Sequence, residues 1–310
     1  MIKNMYKRRL GDRSDGWRVR NVDAVFAVVP YIMRTRLDSQ CFFEEELDLE
    51  TLEGFIKKYR DEIPGLSLMQ IMMAAIVRLI SQRPHVNRFV VYNKIYAHND
   101  IKIAVMIKRS LDDQGEETPI MPLFSPFDTL PDVVRKLNTE IEANRKTEQK
   151  NDSDKISRFF GYLPPFLVRI GIGLIRLLDN IGILPKAIMK ASPWHTSAFF
   201  TNIGSIGLES IYHHLYEFGT TSFFMSMGKK HKTPLVNEKG EASAKRTIGL
   251  KYVIDERICD GFYYAKSMRL LRSYLNNPEV LLTPPKSIVI DEGIGRKLWH
   301  DPNEKANPTQ

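Results

Sequence analysis

The stretch "TIGLKYVIDERICDGFYYAKSMRLLRSYL", residues 247–275, contains the pattern that decides the fold. Its first part, TIGLKYV, is typical of a buried strand, and its last part, AKSMRLLRSYL, is typical of an amphipathic helix. One side of that helix carries large apolar side chains, namely Tyr264, Met268, Leu271 and Leu275. Acids, an arginine and a cysteine stand between strand and helix, directly before a glycine. This junction is therefore the first candidate position for catalytic residues.

The composition is that of a globular protein with enough apolar residues for a core. The chain has 310 residues, of which 43% are hydrophobic and 26% charged. Its two cysteines, Cys41 and Cys259, do not make a disulfide framework, which predicts a location in the reducing cytoplasm. No spacing of Cys and His is typical of a structural zinc site, so we expect no metal.

The positive charge of the chain is concentrated near its start. The formal net charge is +8, and the first twenty residues hold seven Lys or Arg against two Asp. This leader lacks the apolar region of a signal peptide. A basic surface suits nucleic acid, anionic lipid or a phosphorylated small molecule. The known nucleic-acid-binding motifs are missing from the sequence, so we expect a polyanionic small molecule and no nucleic acid.

Strands and helices alternate along the chain without a regular repeat. A strand at about 39–47 runs into a helix near Asp48, and Ser67 precedes a helix that is apolar all round. Apolar residues alternate strictly in a later strand, at Ile101, Ile103, Val105 and Ile107. An amphipathic helix then decays into a polar linker by about residue 150.

The second half continues the alternation and completes the predicted domain. SAFFTNIGSIG is a short strand with a glycine-containing turn, and two further strands, TTSFFMSMGKK and KRTIGLKYVID, are joined by a polar loop. The sequence thus predicts one α/β domain at 20–298. It also predicts a loosely docked basic arm at 1–19 and a polar tail at 299–310.

Residues 158–191 form an unusually apolar segment inside this domain. Arg169, Arg176 and Asp179 interrupt it, so it lacks the 18 uncharged residues of a transmembrane helix. Arg169 and Arg176 are seven residues apart and share one helix face. We expect a helical hairpin that covers a pocket or packs on a partner, and the alternative is a helix lying on a membrane surface.

The order of these pieces resembles the chloramphenicol-acetyltransferase-like superfamily, which includes the catalytic domains of dihydrolipoyl acyltransferases from 2-oxoacid dehydrogenase complexes. DERICDGFYYAKSMRLLRSYLNNPEVLL is similar to their His-x-x-x-Asp-Gly signature, and FFTNIGSIG is similar to their Ser-Asn-x-Gly strand. The resemblance covers roughly 18–150 and 195–283. It implies a two-layer α/β sandwich with a mixed sheet, a homotrimer, and an active site between subunits that takes coenzyme A or acyl-CoA.

The resemblance also implies roles for individual residues. Thr201 would stabilise the oxyanion through its hydroxyl, and Asn202 follows it in the motif. Asp260 would be a structural acid paired with Arg20 of the N-terminal arm, and Gly261 would give a tight turn into the helix. No lipoyl domain precedes this region in the sequence, so we expect a stand-alone protein without a covalent lipoyl group.

The signature departs from the family at the catalytic base. Glu256 stands where the family has its His, in Glu-Arg-Ile-Cys-Asp-Gly. A carboxylate is about four pKa units less basic than a thiolate, and an apolar pocket would narrow that gap. His213 and His214, which follow the oxyanion strand, are alternative bases, and His195 precedes it. Cys259 is expected to be an inert core residue.

Two functions are consistent with this sequence. The first is acyl transfer between coenzyme A and an unidentified thiol, amine or hydroxyl acceptor. The second is a catalytically inactive relative that binds acyl-CoA or acts as a scaffold. The retained Asp260, Gly261, Thr201 and Asn202 favour the first function, and the changed base at Glu256 favours the second.

Overall fold

The fold is built on a mixed sheet whose strands come from all parts of the chain. The computed structural model describes residues 8–108, 117–146, 158–236 and 239–294. In order across the sheet, the strands on its main path are β2 (Gln40–Asp48), β10 (Ala242–Asp255), β9 (Phe223–Val236), β8 (Ala198–Asn202), β5 (Ile101–Lys108) and β6 (Glu117–Ile120). β8 is parallel to both neighbours, and the other pairs are antiparallel, as is the short pairing of β7 (Leu123–Phe124) with β5. The predicted mixed sheet is confirmed.

Helices cover one face of this sheet and share its hydrophobic core. They are α2 (Glu50–Tyr59), α3 (Leu68–Gln82), α4 (Leu130–Lys146) and α7 (Gly261–Asn276). The prediction that α3 is buried all round is confirmed, since 13 of its 15 residues are buried. Ser67 precedes α3 as predicted, but its hydroxyl donates to the side chain of Gln70 and accepts no backbone N–H of the helix. The predicted α/β sandwich is thus confirmed.

The N-terminal arm is docked more firmly than the sequence predicts. Within it, β1 (Gly16–Arg18) pairs with β4 (Lys94–His98), which pairs with β3 (Arg88–Val91) in a second, smaller sheet. Trp17 is only 1% exposed. The prediction of a loosely docked arm is therefore wrong for its second half, because Trp17 and Val19 are buried and the backbone of Gly16–Arg18 joins a sheet, whereas Leu10 is exposed. The predicted tail at 299–310 lies outside the described residues.

The last two strands of the large sheet are longer than predicted. β9 and β10 have 14 residues each, and their ladder extends from Ile254–Phe223 to Ala242–Val236. The sequence predicts a polar loop over much of this outer part. Its polar side chains fit a strand because both faces of a protruding two-stranded ribbon contact water.

The apolar segment is helical at 158–161, in α5 (Pro165–Asn180) and in α6 (Lys186–Ala191). The segment is thus helical as predicted, whereas its packing as a hairpin stays a prediction. In α5, Asp179 is the one residue that is fully buried. Arg13 of the arm donates to the Asp179 carboxylate at 2.5 Å, so α5 is tied to the N-terminal arm. The outer side of α5 remains exposed.

Residues 208–217, here called the covering segment, lie over the sheet face opposite the helices. Leu215 joins a small core with Phe199, Phe224 and Val253 on this face. The backbone N–H of Ile211 donates to the Ser226 hydroxyl, and that hydroxyl donates to the carbonyl of Ile211, at 2.9 and 2.6 Å. The same strands therefore have packed residues on both faces.

The remaining helix near the N-terminus, α1, spans Ala24–Ile32. Asp23 caps its first turn by accepting from the N–H of Val25 at 2.9 Å. Most of its apolar side chains are exposed in the single chain, including Val25, Val28 and Ile32. Its C-terminal end is followed, after residues 33–39, by the start of β2.

Candidate active site at the end of a strand

Glu256 lies directly after the last residue of β10, and its side chain is exposed in the single chain. It begins a single 3-10 turn, Glu256–Ile258. Its backbone N–H donates to the carbonyl of Ser39 at 2.8 Å, which joins it to the start of β2. The carboxylate is thus held on a fixed backbone at the edge of the molecule.

The Asp255 carboxylate anchors this strand end through a buried network. Arg257 donates to it through Nε and Nη2 at 2.8 and 2.7 Å, and the Ser39 hydroxyl donates to it at 2.9 Å. The guanidinium of Arg36 lies 3.5 Å from its second oxygen. Asp255, Arg36 and Arg257 are 0%, 2% and 3% exposed. One buried anion is therefore shared by two buried cations.

Arg36 and Arg257 also bind backbone carbonyls on other elements. Arg36 donates to the carbonyls of Val90 and Gly219 at 3.2 and 3.1 Å. Arg257 donates to Met33 and Arg34, just after α1, at 3.2 and 3.3 Å. Burial lowers the pKa of Arg36 from its usual value, and the Asp255 carboxylate opposes this shift. The network therefore fixes the position of Glu256 relative to α1 and the small sheet.

Sequence reasoning missed this network. Its one local signal is an acid directly after the apolar strand YVI, with a cation two residues later. An ionised side chain at the end of a buried strand needs a partner. Arg36, the other partner, is distant in sequence and stands in a stretch without a distinguishing pattern.

The predicted pair between Arg20 and Asp260 is wrong. Arg20 is exposed and donates to Asp12 at 2.9 Å. Asp260 is exposed and caps α7 by accepting from the N–H of Tyr263 at 2.7 Å. The prediction failed because Asp255, five residues earlier, takes the buried position.

Gly261 is the first residue of α7, and the predicted need for glycine there is not supported. A Cβ atom at this position would meet no heavy atom within 4 Å in the single chain. Its φ also lies outside the left-handed region that favours glycine. The turn into the helix is made by the preceding residues and by the Asp260 cap.

Thr201 and Asn202 are the last two residues of β8, and both are half-buried. Thr201 lies across from Ser226 in the parallel ladder with β9. The chain then turns through Gly204, where an added Cβ would lie 2.0 Å from the carbonyl oxygen of Gly228. Glycine is therefore required at 204, and this close approach fixes the end of β8 against β9.

His213 and His214 belong to the covering segment. The ring of His213 stacks on Phe224, with centroids 4.3 Å apart and planes 2° apart. Its Nδ1 lies 2.9 Å from the carbonyl of His214. Burial lowers the pKa of His213 below its usual value, which favours the neutral ring. His214 is exposed. His213 thus lies on the same sheet face as Thr201, one strand away.

Thr201 and Glu256 do not meet within one chain. Ser226, across from Thr201, lies across from Lys251, which precedes Glu256 by five residues. Residues along a strand are about 3.3 Å apart and neighbouring strands about 4.8 Å, so the two Cα atoms are roughly 19 Å apart. A shared site would therefore need Thr201 and Glu256 from different subunits.

His195 is a structural residue in the single chain. It is 4% exposed, and its Nδ1 lies 2.7 Å from the hydroxyl of Ser192. Its Nε2 lies 3.3 Å from the Asp179 carboxylate, which also binds Arg13. This buried cluster holds the N-terminal arm against α5. His195 is therefore not available as a base.

The two cysteines differ in environment. Cys259 is buried, and burial raises the pKa of its thiol to about 12, in agreement with the predicted inert core residue. Cys41 is half-buried in β2, directly across from Ile254. Burial raises the pKa of Cys41, and the Glu256 carboxylate raises it further. The thiol of Cys41 therefore lies near the candidate base.

The family comparison matches the part of the chain that contains these residues. Residues 196–283 match the family model described as 2-oxoacid dehydrogenases acyltransferase (catalytic domain). The match includes Thr201, Glu256 and Asp260. No curated protein sequence matches the chain significantly.

Several solved structures have the same fold. A probable dihydrolipoamide acetyltransferase from Listeria monocytogenes has a TM-score of 0.52 and 13% identity, over 82% of this chain and 92% of that chain. The dihydrolipoamide acetyltransferase of Azotobacter vinelandii has a TM-score of 0.50 and 12% identity, over 78% and 84%. The cubic core of a pyruvate dehydrogenase multienzyme complex has a TM-score of 0.50 and 11% identity, over 89% and 94%.

At these identities the structural likeness establishes the fold alone, while the family model adds a match in sequence across the candidate site. Both agree with the resemblance predicted from the sequence. The chain therefore has the fold of these dihydrolipoamide acetyltransferase structures, and its residues 196–283 resemble the acyltransferase catalytic domain of the 2-oxoacid dehydrogenases.

Proposed function

We propose that this protein is a CoA-dependent acyltransferase that works as a homotrimer. The observation that carries the proposal is the position of Glu256, an exposed carboxylate on a strand end that buried ion pairs fix in place. It occupies the signature His position within the stretch that matches the acyltransferase model. Thr201 lies roughly 19 Å away in the same chain, so a neighbouring subunit would have to supply it.

The spacing around Glu256 supports its assignment to the reaction. In the Azotobacter enzyme, a histidine and an asparagine four residues apart have been investigated for roles in the catalytic mechanism, together with a serine. Glu256 and Asp260 are four residues apart here, and Thr201 supplies a hydroxyl as a serine would. The types of side chain differ, but hydrogen-bonding groups stand in the same arrangement along the sequence.

The proposed reaction is direct acyl transfer. The acceptor thiol, amine or hydroxyl attacks the thioester carbonyl, and Glu256 takes the proton that the acceptor releases. The Thr201 hydroxyl donates to the oxyanion of the tetrahedral intermediate. The intermediate collapses with cleavage of the C–S bond, and the proton passes from Glu256 to the departing CoA thiolate. No covalent acyl-enzyme is needed.

His213 is the alternative base. Its ring lies on the same sheet face as Thr201 in one chain, and its lowered pKa favours the neutral form that accepts a proton. Its Nδ1 is close to a backbone carbonyl, so Nε2 would have to do this work. His214 is the exposed neighbour of this ring and would support it only indirectly.

A second function, binding of acyl-CoA without turnover, is favoured by the exposure of Glu256. A carboxylate in water is about four pKa units less basic than a thiolate, so proton transfer would be uphill by about 5–6 kcal/mol. Glu256 can act as a base if a neighbouring subunit removes it from water. If Glu256 stayed in contact with water in the oligomer, the protein would bind acyl-CoA without transferring the acyl group.

A thiol-release assay with a panel of acyl-CoA donors and acceptors tests the proposal. The parent protein should release CoA only when an acceptor is present. Glu256→Gln should abolish this release and leave CoA affinity, measured by calorimetry, largely intact. His213→Asn is the matched variant. If His213→Asn were inactive and Glu256→Gln remained active, His213 would be the base.

Mixed trimers test whether the site lies between subunits. Thr201→Ala and Glu256→Gln chains are inactive separately, but a random mixture should recover about a quarter of the parent activity, since one site in four combines two intact residues. Light scattering should give a trimer. A monomer, or no recovery in the mixture, contradicts the intersubunit site.

Absence of release with every donor, together with CoA binding, would support the binding function. No binding of CoA or acyl-CoA at low salt would contradict both functions. The cytoplasmic location and the independence from metals and from a lipoyl group stay predictions.

A further inference from the structure

Helix α5 presents two different sides. Its inner side contacts the rest of the protein through half-buried residues (Val168, Gly171, Ile175 and Leu178) and the buried Asp179. These positions are spaced by three or four residues and form one line along the helix. They hold α5 on the protein by one narrow side and leave most of its circumference exposed.

The opposite side of α5 is apolar and bare. Large side chains follow each other there at spacings of three or four residues, and we call them the outer stripe: Phe166, Ile170, Leu174, Leu177 and Ile181. Each of them is more than half exposed, at 54% to 63%. A stripe of this length on a helix extends for about 22 Å. Exposed apolar patches of this kind usually bind something.

The charges around the outer stripe have one sign. Arg169 and Arg176 lie on the same side of α5, next to the stripe, and both are exposed. Residues 158–191 also contain Arg158, Lys186 and Lys190, which are exposed as well. The one acid in this segment is Asp179, which is buried and bound to Arg13. The exposed surface of the segment thus has five cations and no anion.

This combination favours an anionic lipid surface over a face-to-face contact with the same segment of a second copy. Another copy carries the same net charge of +8, so a contact through two such segments would bring like charges together. An amphipathic helix in a bilayer surface buries its apolar side at the headgroup boundary and keeps basic residues at the level of the phosphates. Among the residues that the structure describes, no helix is long and apolar enough to cross a membrane.

We propose that residues 158–191 dock the protein on the surface of an anionic membrane. The outer stripe of α5 enters the boundary between headgroups and acyl chains, and Arg169 and Arg176 contact lipid phosphates. The helix lies parallel to the membrane plane, because its inner side stays attached to the protein. This inference does not depend on the proposed enzymatic function.

Vesicle flotation with the full chain tests the proposal. The probes are vesicles of phosphatidylcholine alone and of phosphatidylcholine mixed with phosphatidylglycerol. The protein should float with the mixed vesicles, and much less with the neutral ones. Binding should weaken as salt rises, because lipid phosphates and basic side chains are screened from each other. No binding to mixed vesicles at low salt overturns the proposal.

Charge-neutral variants separate apolar insertion from general attraction. Ile170→Gln with Leu174→Gln should lower partitioning to mixed vesicles by about tenfold or more, since two apolar side chains lose their burial. Val236→Gln with Val289→Gln is the matched control, with two exposed aliphatic residues elsewhere, and should bind like the parent. Arg169→Gln with Arg176→Gln should weaken binding and reduce its dependence on salt.

Equal binding by the parent and the Ile170→Gln, Leu174→Gln variant overturns the proposal, because basic residues elsewhere would then explain the attraction. Light scattering on the same variants gives the other contrary result. If the outer-stripe variant splits an oligomer that the control preserves, the stripe is an interface between subunits. Circular dichroism of each variant checks that its secondary structure matches that of the parent.

Discussion

Cys41 reports on the electrostatic environment of Glu256. The two residues lie at neighbouring strand ends, and the pKa of the Cys41 thiol is raised first by burial and then by the Glu256 carboxylate. A thiol reacts with alkylating or disulfide reagents as its thiolate. The rate of Cys41 modification therefore measures the charge at position 256 without an enzymatic assay.

Glu256→Gln should make Cys41 react faster with a thiol reagent at a mildly alkaline pH, by about two- to fivefold, because loss of the negative charge lowers the thiol pKa. Glu62→Gln, an exposed carboxylate away from the site, is the control and should leave the rate unchanged. Cys259 should not contribute, since its pKa is about 12. An unchanged rate in Glu256→Gln would show that the charge of Glu256 does not influence the Cys41 thiol.

At the same scale, the sequence singled out Glu256 as the candidate base, which stays a prediction, and it gave Asp260 the wrong partner. Glu256 was found because a local motif surrounds it, and the burial of Cys259 followed from the same motif. The buried acid Asp255 and its distant partner Arg36 could not be found in this way. An ion pair between distant residues depends on the packing that brings them together, and Asp255 and Asp260 are both acids near the same junction.

The strand–helix element gives a contrast between two acids. Asp255→Asn should lower the free energy of unfolding by about 3–5 kcal/mol, because Arg36 and Arg257 would be left buried with less compensating charge. Asp260→Ala removes an exposed helix cap and should lower it by only about 1 kcal/mol. Chemical denaturation of both variants checks the difference. Equal losses would contradict the assignment of Asp255 as the buried acid.

Elements were predictable where their pattern is local. The helix after Gly261 and the alternating strand β5 agree with the structure because burial on one side leaves a period in the sequence. The docking of the arm was not predictable, since Arg13 binds Asp179 from 166 positions away. The outer part of the β9–β10 ribbon was missed because polar residues on both faces are also typical of loops.

The whole molecule should lose stability in mild acid. Burial lowers the pKa of His85 and His98 to about 4, whereas an unfolded histidine titrates near ~6.5. Between these values the unfolded chain binds more protons, so the free energy of unfolding falls as the pH falls. At still lower pH the Asp291 carboxylate is protonated and its ion pair with Arg88 is lost. Because the pKa of Asp291 is lowered in the folded state, this step reduces the free energy of unfolding further.

Between about pH 7 and pH 5, His85 and His98 should each lower the free energy of unfolding by about 2 kcal/mol. Urea unfolding at several pH values measures this slope. His85→Asn and His98→Asn should each flatten it, and His214→Asn, which changes an exposed ring, should not. A slope that stays the same in both buried variants would mean that other groups control the acid sensitivity.

At the scale of the whole molecule, the resemblance implied both the α/β sandwich and a site between subunits, and the sandwich is confirmed. Thr201 and Glu256 stand in two separate motifs of the sequence, and the sequence alone does not give the distance between them. Strand order and register give this distance as roughly 19 Å in one chain.

The pairing of β2 with β10 has a consequence for the order of folding during synthesis. Cys41 and Ile254 are neighbours in this ladder, although 213 positions separate them in the chain. Closing such a large loop is slow, and the N-terminal strand leaves the ribosome long before its partner exists. Three successive acids, Glu44, Glu45 and Glu46, stand in β2. Like charges of this kind keep the waiting strands of nascent chains from joining one another.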